Sequence, residues 1–135
     1  MPKKQHILIV DDDVQVVDTI GTLLESVGYR VSHAYQTEKG IALAREAKPD
    51  LVLLDMLFAR PPGPDGIDLS MQMNQDPDLR GIPIIMLSGA KEVIDLPDEY
   101  SIPDRTFLPV KIFLEKPIKP DRLLAEIQAV LGARH

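Results

Sequence analysis

Leu51-Val52-Leu53-Leu54-Asp55 is an apolar run that ends on a carboxylate, and His6-Ile7-Leu8-Ile9-Val10-Asp11-Asp12-Asp13 carries the same arrangement nearer the N-terminus. Short continuous apolar runs of this kind read as strands buried on both faces, as in parallel sheets. Around them the period changes. Val16, Val17, Ile20, Leu23, Leu24 and Val27 recur at helical spacing after Asp13, which can cap the helix, and Gly28 stands where a C-terminal cap is wanted. Residues 29–33 form a second strand candidate. Thr37 then opens a helix with Ile41, Ala44 and Ala47 inward, stopped by Lys48-Pro49.

The second half repeats the alternation. Residues 67–76 read as a helix with a methionine-rich face, and residues 82–87 as a fourth strand whose Pro83 lies near the start, where a lost N–H is tolerated. Residues 111–114 read as the fifth strand. A last helix begins at Lys119-Pro120 with Leu123, Leu124, Ile127, Val130 and Leu131 on one face and Gly132 after it. Residues 90–109 fit less well, because Pro97, Pro103 and Pro109 leave only residues 92–96 for a short helix. The expected fold class is α/β: a doubly wound, five-stranded parallel sheet of order 2-1-3-4-5 with an irregular or shortened fourth helix.

Bulk properties narrow the function. At 135 residues, 44% hydrophobic and 27% charged, the chain has the size and composition of one globular domain, residues 1–135 with a core of about 5–132. No output domain is visible after Gly132. A net charge of −6 argues against direct nucleic-acid binding, where basic patches supply most of the attraction. The absence of cysteine removes disulfides, thiol catalysis and zinc–thiolate sites. The apolar segment from Ile7 to Val10 is too short for a signal-peptide core or a membrane span, so a cytoplasmic protein without membrane contact is expected.

In such sheets the ligand site lies beyond the carboxyl ends of the strands, where strand order reverses. The first strand delivers Asp11, Asp12 and Asp13 there, the third Asp55, the fourth Ser88, and the fifth leads to Lys116. Clustered carboxylates repel unless a cation neutralises them, and an all-oxygen set without histidine or cysteine suits Mg²⁺. Each residue also has a plainer reading. Asp13 is better explained as a helix cap, Asp55 taken alone could be a turn residue, and Lys116 a solvated lysine before a proline. Together they describe a phosphoryl-binding site with a metal, a nucleophilic carboxylate, a hydroxyl donor and a cationic clamp.

Ile7-Leu8-Ile9-Val10-Asp11-Asp12, Leu53-Leu54-Asp55, Leu87-Ser88-Gly89 and Glu115-Lys116-Pro117, in that order, resemble the receiver domain of bacterial two-component response regulators. The resemblance implies a flavodoxin-like receiver fold and Asp55 as phosphoacceptor, charged by a sensor histidine kinase or a phosphotransfer protein. It implies Mg²⁺ bound directly by Asp12, through water by Asp11, and by Asp55 and the backbone carbonyl of Leu57. Lys116 would pair with Asp55 and later with the phosphoryl group, across a cis Lys116-Pro117 bond. Ser88 and Phe113 match the hydroxyl and aromatic of the family's switch, although Phe113 also fits ordinary core packing. The partner downstream is a protein that the sequence does not identify, and any catalysis is limited to the domain's own phosphorylation and dephosphorylation.

Three features depart from the family pattern. The loop after Asp55, with Pro61, Pro62 and Pro64, is longer than usual. Ser88 and Lys116 stand 28 residues apart, a longer interval than is common, which puts the extra length in the irregular segment. Leu57 and Ala90 are apolar where the family flanks the path of the hydrolytic water, so the phosphorylated state is expected to be long-lived. Two other readings compete. A Mg²⁺-dependent phosphatase would need a second aspartate where Leu57 stands. A pseudo-receiver, an interaction module without phosphorylation, would not need the full set of acids and the lysine.

Overall fold

The computed structural model describes residues 4–55, 66–88 and 112–132. Five strands, β1 (His6–Val10), β2 (Arg30–Ala34), β3 (Leu51–Asp55), β4 (Ile84–Ser88) and β5 (Ile112–Glu115), form one sheet of order β2-β1-β3-β4-β5. All four pairings are parallel. Among the described residues there are four helices, α1 (Val14–Ser26), α2 (Thr37–Ala47), α3 (Gly66–Gln75) and, after β5, α4 (Pro120–Gly132). The irregular stretch at 90–109, and any helix within it, lies outside the described residues.

Side-chain alternation along the strands divides the core. Leu8, Val10, Val52, Leu54, Ile84 and Met86 face Ala44 of α2 and Leu69 and Met73 of α3. Ile7, Ile9, Leu51, Leu53, Ile85 and Leu87 face Val17, Ile20 and Leu24 of α1 and Leu123, Ile127 and Leu131 of α4. β1 and β3 are buried at every position, which is why their sequences, apart from His6 at the start of β1 and Asp55 at the end of β3, are continuously apolar rather than alternating. Each fully buried aliphatic side chain stabilises the fold by about 1.5–3 kcal/mol.

The helix ends follow local chemistry. Asp13 Oδ1 accepts hydrogen bonds from the N–H groups of Gln15 at 3.0 Å and Val16 at 3.3 Å, capping α1. At the other end Gly28 has φ +100°, and the N–H groups of Gly28 and Tyr29 donate to the carbonyls of Glu25 and Leu24. That pair of bonds is a Schellman cap, and the left-handed turn it needs is open to glycine without a Cβ clash. β4 starts at Ile84, two residues after the position the apolar run predicts. Pro83 has no N–H to enter the ladder and contributes only its carbonyl, which accepts from Val52 N–H at 3.0 Å.

The chain runs from β1 to β2 on one side and then crosses to β3 on the other. The reversal leaves a crevice at the carboxyl ends of β1 and β3, the place where an open α/β sheet binds ligands.

Candidate functional site

Asp11 immediately follows β1 and is 0% exposed; Asp55 is the last residue of β3 and is 5% exposed. Val10 and Leu54 are register partners, so the strand pairing itself carries the two carboxylates to one level. Lys116, just past β5, reaches back over them: its Nζ lies 3.2 Å from Asp11 Oδ2 and 3.4 Å from Asp55 Oδ1. The Lys116-Pro117 peptide is cis, as the family resemblance implies.

Asp11 is held on every side. Its backbone N–H donates to the Ala34 carbonyl at 3.1 Å, extending the β1–β2 ladder by one bond. Its Oδ1 accepts the Asp13 N–H at 2.9 Å, and its Oδ2 faces Lys116. Asp13 therefore acts twice, its side chain capping α1 and its amide orienting Asp11. Sequence reasoning anticipates only the cap. The spacing of two residues is the signal for the second role, because an aspartate side chain commonly accepts from an N–H two positions on.

Burial pushes the Asp11 carboxyl above the usual carboxylate range, and the nearby Asp12 charge adds to this. The Asp13 amide and Lys116 pull the other way without cancelling the rise. For Lys116 burial favours the neutral amine, but the carboxylates of Asp55 and Asp11 outweigh it and hold the ammonium above its ordinary value. The lysine is thus a fixed cation at the crevice.

Asp12 is exposed at the mouth of the site. Among the described residues, the carboxylates of Asp11, Asp12 and Asp55 form the group able to hold a metal, with oxygens within 4.8 Å of one another. Oxygens on opposite sides of an octahedral Mg²⁺ are about 4.1 Å apart, since each lies about 2.0–2.1 Å from the ion. A set no wider than 4.8 Å is of the size that such an ion, with a water interposed where a carboxylate stands back, would bridge. Among the described residues the three carboxylates and the Lys116 ammonium sum to two negative charges, the charge that one divalent cation would match.

Ser88 ends β4, in register with Glu115 and one residue beyond the Asp55–Leu87 pair. Phe113 lies in β5 opposite Met86. The side chains of Ser88 and Phe113, and Leu57 with its carbonyl, fall outside the described residues. Beside the acids a groove of about 460 Å³ runs between α1 and the turn after β5, lined by Asp13, Gln15, Val16, Thr19, Ile20, Lys116, Pro117 and Ile118.

Known proteins resemble this chain over nearly its whole length. The chain is 33% identical over 129 residues to the phosphate regulon transcriptional regulatory protein PhoB of Pseudomonas aeruginosa, covering 93% of this chain and 51% of the relative. It is 32% identical over 130 residues to the DNA-binding response regulator MtrA of Mycobacterium tuberculosis, covering 95% and 51%. The chain thus spans about half the length of these curated relatives. Among solved structures, a CheY-like receiver domain protein from Methanospirillum hungatei has a TM-score of 0.81 at 27% identity, covering 97% of this chain and 96% of that one. The receiver domain of the sensor histidine kinase PA1611 from Pseudomonas aeruginosa, with magnesium coordinated in its active-site cleft, has a TM-score of 0.79 at 25% identity, covering 96% and 99%.

One expectation is corrected by these relatives. The acidic charge had argued against direct nucleic-acid binding, yet MtrA is a DNA-binding response regulator. A net charge of −6 describes the surface of these 135 residues and has no bearing on binding carried elsewhere in such proteins. The family model of the response regulator receiver domain matches residues 7–128, and the chain belongs to that family.

Proposed function

We propose that Asp55 is the phosphoacceptor of a two-component signalling domain, charged by a histidine kinase or a phosphotransfer protein in a Mg²⁺-dependent reaction. The observation that carries this reading is the meeting of Asp11, Asp55 and Lys116, from three strand ends, within 3.2–3.4 Å of one ammonium.

Asp55, largely withdrawn from water, is the nucleophile. One of its carboxylate oxygens attacks the phosphorus of the donor phosphohistidine in line; the P–N bond breaks, the imidazole leaves with its electron pair and takes up a proton, and an acyl phosphate forms on Asp55. Asp12 and Asp55 with the Leu57 carbonyl, and Asp11 through water, are the groups assigned to the metal. Bound there, Mg²⁺ would neutralise charge on the transferring phosphoryl group and align it. Lys116 exchanges its carboxylate contacts for the phosphoryl oxygens, and Ser88 is assigned the hydroxyl that donates to one of them. Phe113 follows Ser88 inward, biasing a pre-existing equilibrium of the partner-binding surface. The groove beside α1, which Lys116 also lines, is the surface assigned to the donor. Beyond its own phosphorylation and dephosphorylation the domain catalyses no reaction.

Among the described residues no helix is long and apolar enough to cross a membrane. The kinase would meet this domain in the cytoplasm. Incubation with acetyl phosphate and Mg²⁺, followed by intact-mass measurement, tests the reading. A single phosphoryl adduct is expected, lost in Asp55→Asn and after chelation of the metal. An unmodified wild-type protein would instead favour the interaction module.

A further inference from the structure

Gly40 lies in the first half of α2, buried, with its N–H donating to the Gln36 carbonyl at 2.9 Å. A Cβ at this position would stand 3.0 Å from both methyl carbons of Val10 and 3.6 Å from its Cβ. Ordinary carbon contacts optimise near 3.5–4.0 Å, so a side chain here would require Val10 or α2 to give by a few tenths of an ångström. A glycine inside a helix costs stability relative to alanine, so the helix alone gives no reason for it. The close approach does.

Neither partner can easily give way. Val10 is 0% exposed and paired on both sides, to Ala34 of β2 and Leu54 of β3. Its two methyls straddle the position, so any staggered rotamer keeps one of them in contact. α2 is seated further along by the fully buried Ala44 and tied by Arg45 to Asp76 at 3.0 Å. Asp11 is the next residue after Val10, and Asp55 the next after its register partner Leu54.

We infer that Gly40 is a positioning residue for the metal-binding carboxylates: its missing side chain lets α2 seat on Val10 and so sets the height of Asp11 beneath Lys116. This rests on the reading that Asp11, Asp12 and Asp55 hold Mg²⁺. A glycine kept only for packing would affect folding and leave the folded protein's metal affinity alone.

The experiment is a Mg²⁺ titration by calorimetry of the wild type, Gly40→Ala, Val10→Ala and the double variant, with folded fraction followed by circular dichroism. Gly40→Ala is expected to weaken Mg²⁺ binding at least about tenfold, the lower end for residues that support metal ligands. In the Val10→Ala background, where room for the new Cβ exists, the same substitution should change affinity by less than about threefold. Wild type that fails to bind Mg²⁺ would defeat the metal reading itself. Wild type that binds, with folded Gly40→Ala binding equally well, would overturn the positioning role alone. Should Gly40→Ala not fold, the comparison within the Val10→Ala background decides: a tenfold loss there would also overturn it.

Discussion

Lys116 Nζ lies nearer to Asp11, at 3.2 Å, than to Asp55, at 3.4 Å. The lysine therefore lies against two of the three carboxylates able to hold a cation, and two positive charges there would oppose one another. Lys116→Met removes that opposition. Mg²⁺ should bind more tightly by roughly 1 kcal/mol, or about fivefold. Phosphorylation by acetyl phosphate should nonetheless slow, because the clamp on the phosphoryl oxygens is gone. Unchanged or weaker Mg²⁺ binding in a titration would show that the ammonium does not compete.

Asp11 is expected to cost the metal-free protein stability. Its carboxyl is raised by burial, so between its ordinary value of 3.8 and the higher folded value the unfolded chain is the more ionised form. Stability on this account is greatest below 3.8 and declines as pH rises through the folded value. Asp11→Asn keeps an oxygen for the Asp13 amide and removes the charge. At neutral pH its urea midpoint without metal should exceed that of the wild type, and the further rise that Mg²⁺ produces in the wild type should vanish. A lower midpoint than wild type would mean that the bond to Lys116 outweighs burial.

Asp13 separates cap from site. Asp13→Ala deletes the acceptor for Gln15 and Val16 but leaves the backbone N–H that holds Asp11. The expected loss is about 1 kcal/mol of stability, typical of an N-cap. Mg²⁺ affinity of the folded variant should remain close to wild type. A large drop in affinity would make the Asp13 side chain part of the site.

At the opposite end of the sheet His6 is 4% exposed, with Nε2 2.7 Å from Ser32 Oγ. Its Nδ1 is buried and has no hydrogen-bond partner among the described residues. A charged imidazole would have two donors here and a place for one. Burial lowers its pKa below 6.5, Arg30 lowers it further, and Asp50 opposes both. The stability this contributes is present above pH 6.5 and is lost as pH falls through the lowered folded value, since the unfolded chain takes the proton first. Wild type should thus lose more stability than His6→Gln between neutral and mildly acidic pH, measured by urea unfolding. Parallel losses would remove His6 as the cause.

How far the residues alone reveal this molecule depends on what kind of contact is at stake. β1 and β3 are legible because burial on both faces demands unbroken apolar runs, and the carboxylates closing them stand out against that background. The Asp13 cap and the Gly28 turn follow from local chemistry and appear where expected. The Lys116–Asp11 contact joins residues 105 apart, and spacing does not determine which of two neighbouring carboxylates an ammonium meets first. Gly40 is silent for a related reason. Helical periodicity registers a glycine only as a weak position, and its use becomes visible once Val10 lies against it.

The last prediction concerns how long the phosphorylated state survives. Hydrolysis of an acyl phosphate needs a water in line with the P–O bond on the side opposite the leaving carboxylate, and a positioned side chain that orients or deprotonates it contributes roughly 10²–10⁴-fold. Leu57 and Ala90, the residues that the family resemblance puts beside that path, have no polar atom in their side chains. The acyl phosphate on Asp55 should therefore decay slowly, and Leu57→Asn, which restores a group able to hold the water, should shorten its life. Protein phosphorylated with acetyl phosphate, freed of the donor and held in Mg²⁺, can be followed by intact mass over time. Loss of the adduct within seconds in the wild type, or equal lifetimes in the two proteins, would show that the water is oriented by some other group.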